Sequence, residues 1–311
     1  MRHAAFPVTR LFVMSLSHTI TLVARRDATT LTDADARAAR DMVKGGVPVI
    51  LSPGEAVDIP SPAPHSGMPT LDTMRAVFGP RQIDVLLTRS RGRRKGLLVA
   101  DMDSTIVTNE TLDDLAAHAG IGERIAEITR RSMNGEIDFA AALRERVALL
   151  AGLPATLLEK AWKDVKLNEG ARELVATMRA HNARTALVSG GFTFFTGRVA
   201  ALCGFAEHHA NSLQISGGAL TGTVGEPILG PDAKLAHLRR LAEEGRLKPA
   251  ATMAVGDGAN DLAMLKEAGV GIAFHAKPIV RAAIGNRVDH ASLRALLFAQ
   301  GYPATAFTGT E

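Results

Sequence analysis

The chain has 311 residues, of which 46% are hydrophobic and 22% charged, with Lys+Arg 36 against Asp+Glu 32 and a formal charge of +4. This composition excludes a disordered chain and provides apolar material for a sizeable core in one or two domains, while the small positive excess suits anionic small molecules and is too weak to argue for nucleic acid. A single Cys203 excludes an intrachain disulfide and fits a reducing cytoplasm, and no apolar stretch approaches the ~20 residues that a bilayer span needs.

The stretch "MRHAAFPVTRLFVMSLSHT" contains the apolar run "LFVM", too short for a signal-peptide core, so residues 1–14 are expected to be an unstructured extension, with Met14 as an alternative start. Alternation in "HTITLVARR" predicts a strand, and "LTDADARAARDMV" behind a Thr/Asp cap predicts a helix. "GVPVILS" reads as a strand, "PGEAVDIPSPAPHSGMP" as loop, "LDTMRAVFG" as a helix and "QIDVLLTR" as a strand. Residues 15–90 thus form a small α+β unit. The basic run "RSRGRRK", Arg89 to Lys95, is expected to be a solvated linker dividing this unit from the rest.

From residue 96 the pattern changes. "GLLVAD", "RTALVSGG", "TMAVGDG" and "VGIAF" are short apolar β runs alternating with amphipathic helical stretches. Continuous apolar strands are buried on both faces, which predicts an α/β fold with a parallel sheet covered by helices. In such sheets ligands collect at the carboxyl ends of the strands, where Asp101, Ser189 and Asp257 fall. About eighty residues of helical pattern separate the first two strands, far more than a crossover needs, so a helical cap is expected over roughly 108–168. "NSLQISGGALTGTV" alternates around Gly217-Gly218 and predicts a hairpin, and Cys203 ends a helix as a core residue.

Asp101 and Asp103 stand two apart on an extended segment and so face one spot, where their repulsion calls for a cation. Hard carboxylate oxygens suit Mg²⁺, with Asp257 as a third ligand and Asp261 supporting the site or capping the next helix. Next to a metal-neutralised phosphate, one aspartate can attack phosphorus while the other protonates the leaving oxygen and then activates water. Ser189-Gly190-Gly191 offers a hydroxyl and open N–H groups for a phosphate, and Lys234 a positive charge. Taken singly, the doublet also fits a strand end and a helix cap, the Ser-Gly-Gly a plain turn, and Lys234 a surface lysine. Their convergence at the ends of three strands is what marks a site.

"DMDST" (101–105), "SGG" (189–191), Lys234 and "GDGAND" (256–261) stand in the order of the four motifs of the haloacid-dehalogenase-like hydrolases. Over about 96–300 the chain resembles that superfamily and, within it, the phosphoserine phosphatase family, through "DMDSTIVTNETLDDLA", "MNGEIDFAAALRERVALLAGLP", "VSGGF" and "AVGDGANDLAMLKEAGVGIAFHAKP". The resemblance implies a Rossmann-like core with an inserted helical cap. It further implies hydrolysis of phosphoserine to serine and phosphate through an aspartyl-phosphate, closing L-serine biosynthesis.

Asp101 is then the nucleophile and Asp103 the general acid/base. Mg²⁺ is held by Asp101, by the backbone carbonyl of Asp103 and by Asp257. Ser189, Gly190, Lys234 and Asn260 hold the phosphate. Glu110, as a buried acid, suits the substrate ammonium, and Arg146 grips its carboxylate in a bidentate fork. Met133 and Phe139 match apolar cap residues. The resemblance also implies an ACT-like front unit, read as a structural or dimerising appendage in preference to an amino-acid sensor, which leaves a homodimer open as an assembly. Charge, the lack of a spanning stretch and the single Cys203 point to no nucleic-acid or membrane partner and a cytoplasmic setting. Three other readings remain: another small phosphomonoester as substrate, a module that retains its aspartyl-phosphate, and a polyanion binder built on "RSRGRRK".

Overall fold

A computed structural model describes residues 16–133 and 136–309; the expected extension over 1–14 and the side chain of Met133 lie outside the described residues. The front of the chain runs β1 (His18–Ala24), α1 (Asp33–Val43), β2 (Val49–Ser52), β3 (Ala56–Ser61), α2 (Leu71–Phe78) and β4 (Ile83–Arg89). Its four strands form an antiparallel sheet in the order β2-β3-β1-β4, the ferredoxin-like βαββαβ arrangement. Thr32 caps α1 in a reciprocal capping box with Asp35. Ile20, Leu22, Val57 and Ile59 pack with Met74 and Phe78 in the buried core of this unit.

β3 corrects the loop expected over 53–69. Buried Ala56, Val57 and Ile59 give the segment an apolar face that outweighs its Pro and Gly content. Pro60 is tolerated because its polar side faces the flank of β2, beyond that strand's last paired residue, where its carbonyl accepts from Gly46 N–H at 2.8 Å.

The second sheet begins with β5 (Leu97–Ala100). Five helices follow: α3 (Thr111–His118), α4 (Gly122–Met133), α5 (Phe139–Ala148), α6 (Thr156–Asp164) and α7 (Ala171–Ala180). Then come β6 (Arg184–Phe192), α8 (Thr193–Cys203), β7 (Glu207–Asn211), and the hairpin β8 (Leu213–Ser216) and β9 (Ala219–Val224). The chain closes with α9 (Pro231–Glu244), β10 (Thr252–Gly256), α10 (Leu262–Glu267), β11 (Val270–Phe274), α11 (Pro278–Ala283), β12 (Asn286–Val288) and α12 (Ala295–Ala299).

This sheet is parallel, in the order β12-β11-β10-β5-β6-β7. Along β5, Leu97 and Val99 join a core with Leu238, Leu241, Met264 and Val280, whereas Leu98 and Ala100 join one with Leu174, Met178, Val199 and Cys203. Both faces are thus covered, as the unbroken apolar run requires. The chain leaves β5 toward β6 and β7 on one side and returns to β10, β11 and β12 on the other, so the switch point lies between β5 and β10.

The basic run between the two sheets is solvated only in part: Arg89, Arg91 and Arg94 are exposed, whereas Arg93 and Lys95 are not. Arg93 reaches Asp58 at 2.5 and 3.0 Å and the carbonyls of Phe298 and Ala299 at 3.1 and 3.2 Å. Lys95 is buried and donates to the carbonyls of Gly92 and Ala250, and Arg94 lies over the ring of Tyr302. Arg93 and Lys95 are drawn inward, while Arg94 stays exposed, because the face of the front sheet opposite α1 and α2 has no cover of its own. Val23, Leu51, Ala56 and Leu86 share one buried cluster with Leu98, Leu296, Leu297 and Phe298, so α12 closes both layers. The Asn286 amide adds a rung by pairing with Leu87 N–H and C=O at 2.8 and 3.0 Å.

Candidate active site

The first loop after β5 turns tightly through Ser104, whose φ is +52°, and delivers Asp101 and Asp103 to one side. Asp101 is 5% exposed and accepts from Met102 N–H at 2.7 Å and from the Lys234 ammonium at 2.7 Å. Lys234, buried on the first turns of α9, also holds Asp261 at 2.5 Å. Asp261 takes Gly258 N–H on its other oxygen and packs so close to β10 that a Cβ on Gly256 would fall 2.3 Å from its Cγ; only glycine fits there.

Asp103 is partly buried, accepts from Thr111 N–H at 3.0 Å and so sits at the amino end of α3, which favours its charge. Burial and the neighbouring Glu110 outweigh that, and its carboxyl is pushed up to about 7. A carboxyl that exchanges its proton near neutrality is suited to both halves of acid/base work.

One oxygen from each of Asp101, Asp257 and Asp261 lies within 4.8 Å of the others, and all three residues are buried. Burial and the Asp261 charge push Asp101 well up against the pull of Lys234, and burial likewise raises Asp257. Lys234 keeps its charge above the ordinary lysine range despite burial, because Asp101 and Asp261 hold it. Buried Lys234 and the half-exposed Lys277, 3.4 Å from Asp257, do not offset the three carboxylates, and a hard divalent cation relieves the remaining negative charge. Asp261 is committed to Lys234 and Gly258, so Asp101 and Asp257 are the carboxylates left to meet a metal. The Asp103 carboxylate stands outside this group, which suits an approach through its backbone carbonyl.

A cleft of about 310 Å³ opens over these strand ends, lined by Asp101, Asp103, Glu110, Arg146, Ser189, Gly190, Asp257 and Asn260. Thus each predicted site residue except Lys234 faces it, and Lys234 lies behind Asp101. Phe139 also lines the cleft. Ser189 and the two glycines sit at the end of β6, ahead of α8, where the pairing with β7 slips between Val188 and Phe192. Ser189 Oγ accepts Gly191 N–H at 2.9 Å, and a Cβ on Gly191 would stand 3.1 Å from Asp103 Oδ2. The cap face contributes Arg146, partly buried, with Nε on the Ala142 carbonyl at 3.3 Å and the charges of Asp113 and Glu110 near it.

Glu110 is not the buried acid expected. Its side chain is 49% exposed at the cleft mouth, where it begins α3 and accepts from Ser104 Oγ at 2.8 Å. Two residues escaped the sequence reading. Asn211, 2% exposed, donates to the Gly190 carbonyl at 2.9 Å and accepts from Leu229 N–H at 2.7 Å, fixing the Ser-Gly-Gly turn. Lys277 places its ammonium 3.4 Å from Asp257 and 3.7 Å from Glu110. Burial works against its charge, but those two acids hold it above the ordinary lysine value. Asn211 had no signal beyond its place ahead of a hairpin. Lys277 follows the β run "VGIAF" and was open to the strand-end rule applied to the other three runs.

Residues 96–269 match the haloacid dehalogenase-like hydrolase family. The chain belongs to that family. Its relatives within it include phosphoserine phosphatases: that of Streptococcus thermophilus is 50% identical over 187 residues, which are 60% of this chain and 87% of that protein. The crystal structure of a probable phosphoserine phosphatase from Vibrio cholerae superposes with a TM-score of 0.75 at 30% identity, covering 97% of this chain and 92% of that one. A phospho-aspartyl intermediate analogue of phosphoserine phosphatase superposes at 0.61 with 38% identity, covering 66% of this chain and 98% of that one. Among the described residues no helix is long and apolar enough to cross a membrane.

Proposed function

We infer that the protein is a phosphoserine phosphatase, hydrolysing O-phospho-L-serine to L-serine and phosphate. The observation that carries this is one cleft in which Asp101 and Asp103 face Arg146 and Glu110, so that groups for a phosphate, a carboxylate and an ammonium converge. Asp101 Oδ attacks phosphorus and the bond to the seryl oxygen breaks; that oxygen leaves with the proton of Asp103. Asp103, now a carboxylate, takes a proton from water, whose oxygen attacks phosphorus and frees phosphate and Asp101. Ser189, Gly190 and Asn260 bind the phosphoryl oxygens. Lys234 orients Asp101 and lends it positive charge from behind. Mg²⁺, held by Asp101, the Asp103 carbonyl and Asp257, would neutralise phosphoryl charge.

Arg146 is the reader of the substrate carboxylate and Glu110 of its ammonium. Residues 15–90 are read as an ACT-like unit on their βαββαβ order, and 91–311 as the phosphatase unit with its cap over about 108–168. Exposed Val49 and Ile50 on the edge strand β2 favour pairing with a second copy. The single buried thiol of Cys203 fits the cytoplasm.

A phosphate-release panel over phosphoserine, phosphothreonine and phosphoethanolamine, with and without Mg²⁺, tests the assignment. Phosphoserine is expected to be turned over best, and Arg146→Ala to cost about 10- to 100-fold in kcat/KM on phosphoserine but little on phosphoethanolamine, which has no carboxylate. Equal losses on both would remove Arg146 from substrate recognition. Release of one equivalent per chain and no more would favour a module that keeps its aspartyl-phosphate.

A further inference from the structure

Resting on that assignment, we propose that Lys277 is a placeholder cation, a residue whose ammonium competes with both the divalent cation and the substrate ammonium and so sets how strongly the site holds each. Its position is the evidence. Asp257 and Glu110 are the two acids assigned to the metal and to the substrate amine, and Lys277 Nζ stands between them at 3.4 and 3.7 Å. One internal ammonium therefore neutralises the two carboxylates on which two incoming positive charges depend.

The residue is built to move without disturbing the fold. Its main chain is anchored: the N–H donates to the Asp257 carbonyl at 2.9 Å, and its own carbonyl accepts from Val280 and Arg281 at the start of α11. Two residues earlier His275, at φ +42°, stacks on Phe274 and is tied to the carbonyls of Val288 and Ala291. The side chain, by contrast, is 53% exposed, and its carboxylate contacts at 3.4 and 3.7 Å are longer than the usual charge-assisted hydrogen bond. A long flexible stem on a fixed root can swing its charge toward solvent when the acids take other partners. While it stays, it opposes any cation arriving at Asp257 or Glu110. A substrate bearing an ammonium meets this competition twice, through the metal and directly at Glu110, whereas one without an amine meets it through the metal alone.

The test compares the full chain with Lys277→Met, which keeps the stem and removes the charge, and with Lys277→Arg, which keeps the charge. Mg²⁺ binding is measured by calorimetry without substrate, and KM is measured for phosphoserine and for phosphoglycolate, which has the carboxylate and the phosphate but no amine. Lys277→Met is expected to bind Mg²⁺ about fivefold more tightly, as removal of a partly screened like charge a few ångströms away requires. The ratio of the phosphoserine KM to the phosphoglycolate KM should fall by about threefold. Lys277→Arg should stay within about twofold of the parent on both readouts. Unchanged or weaker Mg²⁺ binding by Lys277→Met overturns the placeholder role and leaves the phosphatase assignment standing. No Mg²⁺ binding by the parent overturns the metal assignment and this inference with it.

Discussion

Both sheets bury carboxylates, and they treat them in opposite ways. In the front sheet each is satisfied. Asp58 accepts from Thr21 at 2.7 Å as well as from Arg93, and Glu55 takes Arg294 through two nitrogens at 2.7 and 3.0 Å and Ser52 at 2.8 Å. Asp84 collects the N–H groups of Asp289, His290 and Ala291 at 2.7 to 3.1 Å. At the ends of β5 and β10 Lys234 holds Asp101 and Asp261 together, and among the described residues Asp257 meets only the half-exposed ammonium of Lys277 at 3.4 Å. A buried charge with full partners fixes structure, whereas one left short of partners holds a standing demand for a ligand. The contrast separates the acids that join the two layers from the acids that do chemistry, although all are aspartate or glutamate in similarly dry surroundings.

The largest effect should come from the under-partnered set. Asp101→Asn is expected to cut phosphate release by about a thousandfold or more, because an amide cannot serve as the nucleophile, while the circular dichroism spectrum stays that of the parent. Normal turnover by this variant would end the distinction. Next comes the satisfied set. Arg294→Ala strands buried Glu55 and partly buried Glu173 and should cost about 3 kcal/mol in denaturant titration, with little change in turnover per folded molecule. No loss of stability would show that these ion pairs do not weld the sheets.

The under-partnered set is also expected to show a pH slope. Asp103 is raised in the folded protein from 3.8 to about 7, so the folded state favours its neutral form. Its contribution to stability is complete below about pH 4 and is lost as pH climbs through about 7. The melting temperature of the metal-free parent, relative to Asp103→Asn, should therefore decline across that window. A flat difference would mean that Asp103 titrates as an ordinary carboxylate.

The parallel sheet and its strand-end acids were legible because both leave local marks. Runs such as "LLVA", recurring between amphipathic helical stretches, read as strands buried on two faces, and the residue following such a run in this class of sheet is already at the ligand edge. What escaped depended on partners distant in sequence. Arg93 and Lys95 read as solvent-facing because nothing near them reveals Asp58, Phe298 or Ala250. β3 was hidden by Pro60 and its Gly- and Ser-rich surroundings, since the apolar face that makes it a strand is defined by what it packs against. Glu110 was placed by its chemistry, and its chemistry says nothing of depth.

The shared interior has a consequence for biosynthesis. β1 and β4 leave the ribosome early, yet the helix that covers their second face is α12; the hydrogen bond from Thr88 to the Ala299 carbonyl spans 211 positions. At elongation rates of about 5–20 residues per second, the nascent front sheet waits on the order of 10–40 seconds with Val23 and Leu86 uncovered. During that interval this face stays without its apolar cover, and the interior shared by the two sheets closes only once α12 has been translated.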